Sequence, residues 1–295
     1  MKYSTKLLTT FFALFFFVNQ SAFAETLTFK VGDNASYTIT QKLTTEWEGY
    51  LKSYGESTGS IDVDIEILSV NQETLSYPFD VVLTLRRVDL LDIERDEDDK
   101  SPTTVYYNSE RLKILNNTLL VDHFDKLINH PLIFRIKNEF QVEEISGYFE
   151  RLDDALDNPC LSFLTIGVSP ITYELFLKQL FHFSGDNLQL NGIYPKSSYQ
   201  FLNLSLEEEI GFFETSAYTV NAMDSKTIEA TWQGDAEIEN SDPYSNLEIS
   251  LTGNVIWDRS NLIIQKRNLN LQFQHTFGTT PIRYKYLLQQ TWQSK

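Results

Sequence analysis

The feature of this sequence that most constrains its fold is the regular alternation of apolar and polar residues over most of the chain after residue 25. The segments 61–67 (IDVDIEI) and 269–274 (LNLQFQ) show this alternation most clearly. Successive side chains of a β-strand point to opposite faces, so each segment predicts a strand with one buried face and one face in water. Similar patterns predict further strands at 37–42, 81–86, 132–137, 199–206, 218–220, 228–232, 247–257 and 282–292.

Only the middle of the chain changes to helical spacing. Apolar residues recur at helical intervals over 148–156, and Asn158-Pro159 ends that segment. Ser169-Pro170 then opens a second helix that continues to about Phe183, with serine as the cap and proline at the first helical position. The sequence therefore predicts an α+β fold, mostly antiparallel β, in which two central helices pack on a curved sheet or sheets.

The two ends of the chain are alike in plan, although their residues differ. Residues 27–88 and 197–240 each contain a long predicted strand, a break with glycine and a hairpin. This likeness favours a duplicated β-meander. We therefore predict an N-terminal β unit at 25–146, a helical connector at 147–190 and a C-terminal β unit at 191–295, which together form one compact domain.

The first 24 residues have the three parts of a secretory signal peptide. Lys2 and Lys6 come first, the apolar run at 7–18 follows, and Ala22 and Ala24 precede the expected cut before Glu25. The run is shorter than the roughly 20 apolar residues that a membrane helix needs. A lipoprotein would carry cysteine where Glu25 stands. We therefore expect an exported protein, periplasmic or extracellular, with no lipid anchor and no membrane span after cleavage.

The charge of the chain limits its partners. The formal net charge is −17, and loss of Lys2 and Lys6 with the signal peptide makes it −19. Such a field repels nucleic acid and anionic lipid head groups, so we expect no nucleic acid partner. The aromatic content of 14% supplies ample material for a core, so the mature chain is expected to fold.

No short motif of a catalytic, metal or cofactor site occurs in the sequence. It contains no metalloprotease helix, no serine elbow, no phosphate loop and no dinucleotide fingerprint. We therefore expect no cofactor and no metal, and we can assign no catalytic residue from the sequence.

Three weaker features were considered as sites. The densest group of possible metal ligands consists of His123 and His130 with Asp122 and Asp125. The pattern over 116–131, however, predicts a mixed loop or short helix between strands. The acidic segment 92–101 (DIERDEDDKS) lacks the glycine and glutamate of a helix–loop–helix calcium site, so we predict a solvated loop. The single cysteine, Cys160, has apolar neighbours and is expected to be buried and inert.

The start of the mature chain carries a family resemblance. In the segment 29–37 (FKVGDNASY) a Gly-Asp turn leads into a long strand, and the segment 194–196 (YPK) leads into a second one at Tyr199. In this plan the chain resembles an uncharacterised family of exported bacterial proteins, known only as a domain of unknown function. The resemblance implies export and a β-rich fold, and it implies no catalytic residues.

An outer-membrane barrel is disfavoured, because the middle of the chain is helical, the strand at 62–66 is acidic and the final residue is not aromatic. Two other functional classes follow from these features. The first is a non-catalytic binding or scaffold protein of the periplasm, because the sequence combines a large β surface and many aromatic residues with no reactive cluster. Its partner would be an apolar ligand or another protein. The alternative is an exported hydrolase with a dispersed carboxylate site, for which Asp153, Asp154 and Glu207 to Glu209 are candidates without a signature.

Overall fold

The computed structural model describes residues 25–26, 32–48, 52–68, 78–96, 101–112, 115–138, 141–147, 170–181, 187–203, 209–238, 246–259, 264–277 and 282–295. These residues form short and long strands with two helices between them. The helices are α1 (Thr118–Phe124) and α2 (Pro170–Phe181). The strands are β1 (Glu25–Thr26), β2 (Asn34–Glu48), β3 (Lys52–Leu68), β4 (Phe79–Asp96), β5 (Thr103–Asn108), β6 (Pro131–Asn138), β7 (Gln141–Ser146), β8 (Asn187–Leu188), β9 (Ile193–Asn203), β10 (Glu209–Met223), β11 (Thr227–Ile238), β12 (Asn246–Asp258), β13 (Ile264–Phe277) and β14 (Ile282–Ser294).

Twelve of the strands form one antiparallel sheet. Its order is β7-β6-β4-β3-β2-β14-β13-β12-β11-β10-β9, with β5 paired to β4 beside β6. Most neighbours in this order are also neighbours in sequence, so the sheet is largely a meander. The exceptions are the pair of β4 and β6, which have β5 between them in sequence, and the pair of β2 and β14, which joins the two halves at the middle of the sheet. The two short strands β1 and β8 pair with each other in a separate ribbon.

The alternation in the sequence sets the two faces of the sheet. In β3, Ile61, Val63, Ile65 and Ile67 are each at most 4% exposed, whereas Glu66 on the other face is exposed. In β13 the buried Leu269 and Leu271 alternate with exposed Asn270 and Gln272. These strand predictions are therefore confirmed, and the apolar face of the sheet forms the core.

Both helices pack their apolar side chains against this face. From α2, the buried side chains are Tyr173, Phe176, Leu177, Leu180 and Phe181. The Phe181 ring meets Phe79 of β4 edge to face, with ring centres 5.1 Å apart, and the Phe176 ring lies 4.7 Å from Trp292 of β14. Helix α2 therefore reaches strands from both halves of the sheet. Helix α1 contributes Leu120 and Phe124, which are fully buried.

The predicted α+β class with two central helices is wrong, because the described residues are nearly all antiparallel strand with two short helices. Helix α2 begins at Pro170 and confirms the predicted second helix. The predicted first helix at 148–156 lies outside the described residues. Helix α1 forms within 116–131, where the sequence predicts a mixed loop or short helix. The predicted acidic loop begins as strand, because β4 continues to Asp96 and pairs with β3 and β5.

A β-bulge on the polar face fixes a small ionic network. The pairing of β3 with β4 shifts between Asp62 and Val63, so that Arg86 and Arg87 both stand near the two aspartates of β3. The Arg86 Nε donates to Asp64 at 2.6 Å, and the Arg87 Nε donates to Asp62 at 3.0 Å. A bulge re-aims side chains in this way at the cost of one ladder position.

Candidate functional site

The most exposed large apolar side chains of the described residues lie in two turns. They are Leu112 at 73%, Ile193 at 67%, Leu115 at 59% and Leu190 at 45%. We call the segment 109–115, of which the structure describes 109–112 and 115, the leucine turn, and the segment 189–193 the isoleucine turn. Apolar side chains left exposed in groups mark surfaces that contact a partner.

The leucine turn is held at its base by two asparagines. The backbone N–H of Asn108 donates to Asn116 Oδ1 at 2.9 Å, and Asn116 Nδ2 donates back to the carbonyl of Asn108 at 2.9 Å. A side-chain amide can satisfy one donor and one acceptor of a distant backbone residue at once. This clamp closes the base of the turn, so the exposed leucines belong to a structured projection of the chain.

Within the turn, a local hydrogen bond brings the leucines together. The N–H of Leu115 donates to the carbonyl of Leu112 at 2.9 Å. The side chains of residues three apart in such a tight turn lie nearly one above the other. The neighbouring Arg111 places its guanidinium 5.3 Å from the centre of the Tyr106 ring, so a cation stands beside the apolar tip.

The isoleucine turn is fixed to β10 on the opposite edge of the sheet. Asn191 adopts a left-handed backbone with φ of 62°, a conformation that asparagine tolerates, and its N–H donates to the carbonyl of Val220 at 2.8 Å. The N–H of Val220 donates to the carbonyl of Gly192 at 3.1 Å. The Tyr194 hydroxyl accepts from the N–H of Gln189 at 2.6 Å. Leu190 and Ile193 therefore project from a turn with a defined backbone.

The register places both turns at the same row of the sheet. The row of paired residues is Ile193, Thr219, Thr231, Asn254, Asn268, Thr291, Thr40, Ser60, Asp89 and Asn108. Strand β5 ends and strand β9 begins at this row, and both turns lie on the side of it where β2 begins. The sheet therefore presents one apolar turn at each of these two edges, with both turns on the same side.

The possible metal ligands His123, His130, Asp122 and Asp125 do not come together. His123 is fully buried in α1 and meets the Phe124 ring edge to face at 4.9 Å, whereas Asp122 in the same helix and Asp125 just after it are exposed. His130 lies in the turn before β6. Within the part of the chain that the structure describes, no three histidine, cysteine or acidic residues come close enough to hold a metal ion.

Other candidates from the sequence lie in strands or outside the described residues. Asp92 stands in β4, opposite Val105 of β5. Cys160, Asp153, Asp154, Glu207 and Glu208 lie outside the described residues, as do the signal peptide at 1–24 and residues 97–100 of the acidic segment. Glu209 is the first residue of β10.

Sequence reasoning missed both apolar turns. The signal was present, because Leu112, Ile114 and Leu115 cluster directly after the polar run 108–111, and Leu190 precedes the Asn191-Gly192 pair that marks a turn. Apolar residues within turns do not lie on the buried face of a strand, so they are candidate contact sites.

Three comparisons with known proteins were made. No family model matches the chain, and no curated protein matches it. Among solved structures it is similar to the translocator domain of the autotransporter NalP from Neisseria meningitidis, at 7% identity and a TM-score of 0.32, covering 89% of this chain and 88% of that one. It is also similar to OccK7 (OpdD) of Pseudomonas aeruginosa, at 12% identity and a TM-score of 0.21, covering 83% and 64%. An outer membrane channel from Pseudomonas putida F1 matches at 10% identity and a TM-score of 0.22, covering 90% and 96%.

These comparisons correct the functional prediction. The structures that the chain is similar to are outer-membrane β-barrel proteins, so the prediction of a periplasmic binding or scaffold protein is wrong. The soluble periplasmic description and the expectation of no membrane span after cleavage are contradicted by the same neighbours. An exported, cell-envelope location is the part of the prediction that they support.

The side chains of the described strands differ from those of a lipid-facing barrel in one respect. Membrane barrels turn an apolar band outward. Here the apolar face is covered by α1 and α2, and the other face carries residues such as Thr40, Lys42 and Gln272, which are exposed. In the described residues no helix has the length and apolar character to cross a bilayer.

Proposed function

We propose that this chain works at a membrane of the cell envelope and contacts the lipid surface through the leucine turn and the isoleucine turn. The observation that carries the proposal is the exposure of four aliphatic side chains in two turns at one row of the sheet, while the surrounding strand face is polar. A bilayer interface suits such a pattern, because apolar tips enter the boundary of the acyl chains.

The apolar contact is large enough to matter. Full burial of one aliphatic side chain contributes roughly 1.5–3 kcal/mol, and these four are between 45% and 73% exposed in the protein. Their transfer to lipid therefore contributes about 1–2 kcal/mol each. A sum of about 4–8 kcal/mol corresponds to attachment in the millimolar to micromolar range, before the cost of association.

Charge predicts which lipids the chain prefers. The net charge of −17 repels an anionic surface, and the Arg111 guanidinium is engaged with the Tyr106 ring. Attachment through aliphatic tips does not depend on lipid charge. We therefore expect binding to neutral phosphatidylcholine vesicles, and weaker binding when anionic phosphatidylglycerol is added at low salt.

Vesicle flotation tests the proposal. The purified protein is expected to float with phosphatidylcholine vesicles, and a double variant, Leu112→Ser with Leu115→Ser, is expected to lose about tenfold or more of that affinity. Leu190→Ser with Ile193→Ser should have a similar effect. Leu287→Ser is the matched control, because Leu287 is 39% exposed but lies within β14 in the middle of the sheet.

Two results would overturn the proposal. The first is a wild-type protein that stays at the bottom of the gradient with neutral vesicles. The second is an equal loss of flotation in Leu287→Ser and in the turn variants, which would point to a general effect of surface hydrophobicity. Binding of a protein to the turns in the absence of vesicles, abolished by the same variants, would replace the lipid surface with a protein partner.

A further inference from the structure

A buried arginine lies on the apolar face of the sheet beneath helix α2. Arg267 is 5% exposed and stands in β13 in phase with the core residues Leu269 and Leu271. In the register it lies opposite Val255 of β12 and Trp292 of β14. Its side chain therefore enters the core.

Two indole rings flank the guanidinium. The central carbon of Arg267 lies 4.7 Å from the centre of the Trp292 ring and 5.3 Å from the centre of the Trp232 ring. Trp292 is 1% exposed and Trp232 is 3% exposed, so both contacts are shielded from water. Cation–π contacts stabilise the positive charge, and they leave the N–H groups at the edge of the guanidinium plane available for hydrogen bonds.

The guanidinium has one hydrogen-bond partner among the residues that the structure describes. Arg267 Nη1 donates to Gln179 Oε1 of α2 at 2.7 Å. Among the side chains that the structure describes, no carboxylate forms an ion pair with Arg267. A neutral amide satisfies one of the five donors and does not neutralise the charge. A buried cation without a counter-charge is unfavourable, and proteins usually pair it.

A second donor close by has no partner. The Trp232 Nε1–H is fully buried and has no acceptor among the described residues. It belongs to the same ring that lies over the Arg267 guanidinium. Buried donors of this kind are normally satisfied, so this N–H and the Arg267 guanidinium beside it together suit an acceptor that carries negative charge.

From these contacts we propose that Arg267 and Trp232 form a binding position for a small oxyanion, a carboxylate or a phosphate, between β13 and α2. The planar guanidinium matches the two oxygens of such a group, and the indole N–H supplies a third donor. The site is separate from the apolar turns. Arg267 and Trp232 lie on the buried face of the sheet, whereas the turns lie where β5 ends and β9 begins. Its occupant is recognised by charge and oxygen geometry.

Tryptophan fluorescence provides the test, because two of the four tryptophans in the chain flank the guanidinium. The purified protein is titrated separately with sodium phosphate and with sodium acetate, against sodium chloride at equal ionic strength. We expect a saturable change with at least one of the two oxyanions and no saturable change with chloride. The arm that responds identifies which oxyanion fits.

Variants separate this site from a surface effect. Arg267→Gln is expected to raise the half-saturating concentration at least tenfold, whereas Arg86→Gln, which removes an exposed arginine on the polar face, should leave it unchanged. Trp232→Phe replaces the indole with a smaller aromatic ring that has no N–H, and it should weaken binding severalfold, which keeps the proposal testable if Arg267→Gln does not fold. A response no different from chloride, or equal binding in wild type and Trp232→Phe, would overturn the proposal.

Discussion

The closest approach between a glycine and the aromatic core gives the sharpest stability prediction. Gly253 of β12 stands directly opposite Trp232 of β11. A Cβ at residue 253 would overlap the indole atoms Nε1 and Cε2 of Trp232 and the backbone oxygen of Asn268. We predict that Gly253→Ala destabilises the protein, although alanine is intrinsically better than glycine in a strand by about 0.5–1 kcal/mol.

The neighbours of Gly253 leave little room for relief. The carbonyl of Asn268 lies in the ladder between β12 and β13, so it moves only with the strand. The Trp232 ring is stacked on Tyr218 at 5.4 Å and lies against Arg267, so rotating it away forfeits both contacts. Overpacking of this kind costs about 1–3 kcal/mol. Loss of the aromatic stacking adds roughly 1 kcal/mol, so we expect a net decrease of about 1–3.5 kcal/mol in the free energy of unfolding after the strand preference is subtracted.

Urea unfolding of wild type and variant, followed by tryptophan fluorescence and by circular dichroism, measures this difference from the midpoints at a common slope. Gly55→Ala in β3 is the matched control. A Cβ there would overlap only the Thr45 hydroxyl, which can rotate away. We expect Gly55→Ala to be within about 0.5 kcal/mol of wild type. Gly253→Ala at or above the wild-type stability would refute the packing argument.

Two further predictions concern the helix and the ionic network. Leu177→Ala in α2 removes a fully buried side chain and should lower the free energy of unfolding by about 2–5 kcal/mol, whereas Lys178→Ala on the same helix should change it by less than about 0.5 kcal/mol in urea titrations. Burial alone would raise the pKa of Asp62, but hydrogen bonds from Lys295 and Thr38 and the charge of Arg87 hold that pKa below its usual range. A depressed folded-state pKa stabilises the protein above about pH 4 and loses that contribution as the pH falls through the folded value. Asp62→Asn should therefore lower stability at pH 7 and flatten the decline between neutral and acidic pH, and an unchanged pH profile would contradict this assignment.

The strands of the sheet could be read from the sequence, because alternation is a local signal. The segment 61–67 needs no distant information, since its isoleucines and valine share one face whatever lies beside them. Helix α2 was also foreseeable, because Pro170 marks its first turn. The number of strands in one sheet was not foreseeable, because it depends on the pairing of β2 with β14, which are far apart in sequence.

The interior polar group shows a different limit. Arg267 could have been flagged, because it occupies the inward phase set by Leu269 and Leu271. The contacts of Arg267 could not be predicted from the sequence, since its neighbours Trp232, Trp292 and Gln179 come from three separate elements. Only the fold brings these residues together. The same holds for the two apolar turns, whose common row follows from nine successive strand pairings.

The pairing of β2 with β14 has a consequence for the order of assembly. Strand β2 is translated early and β14 late, yet they lie side by side in the middle of the sheet. Until β14 arrives, β2 and β13 each present an open edge that can pair with another chain. Contacts between residues so distant in sequence form slowly. Newly made copies of this chain should therefore depend on a period of protection from one another, and crowding them during refolding should yield aggregates before native protein.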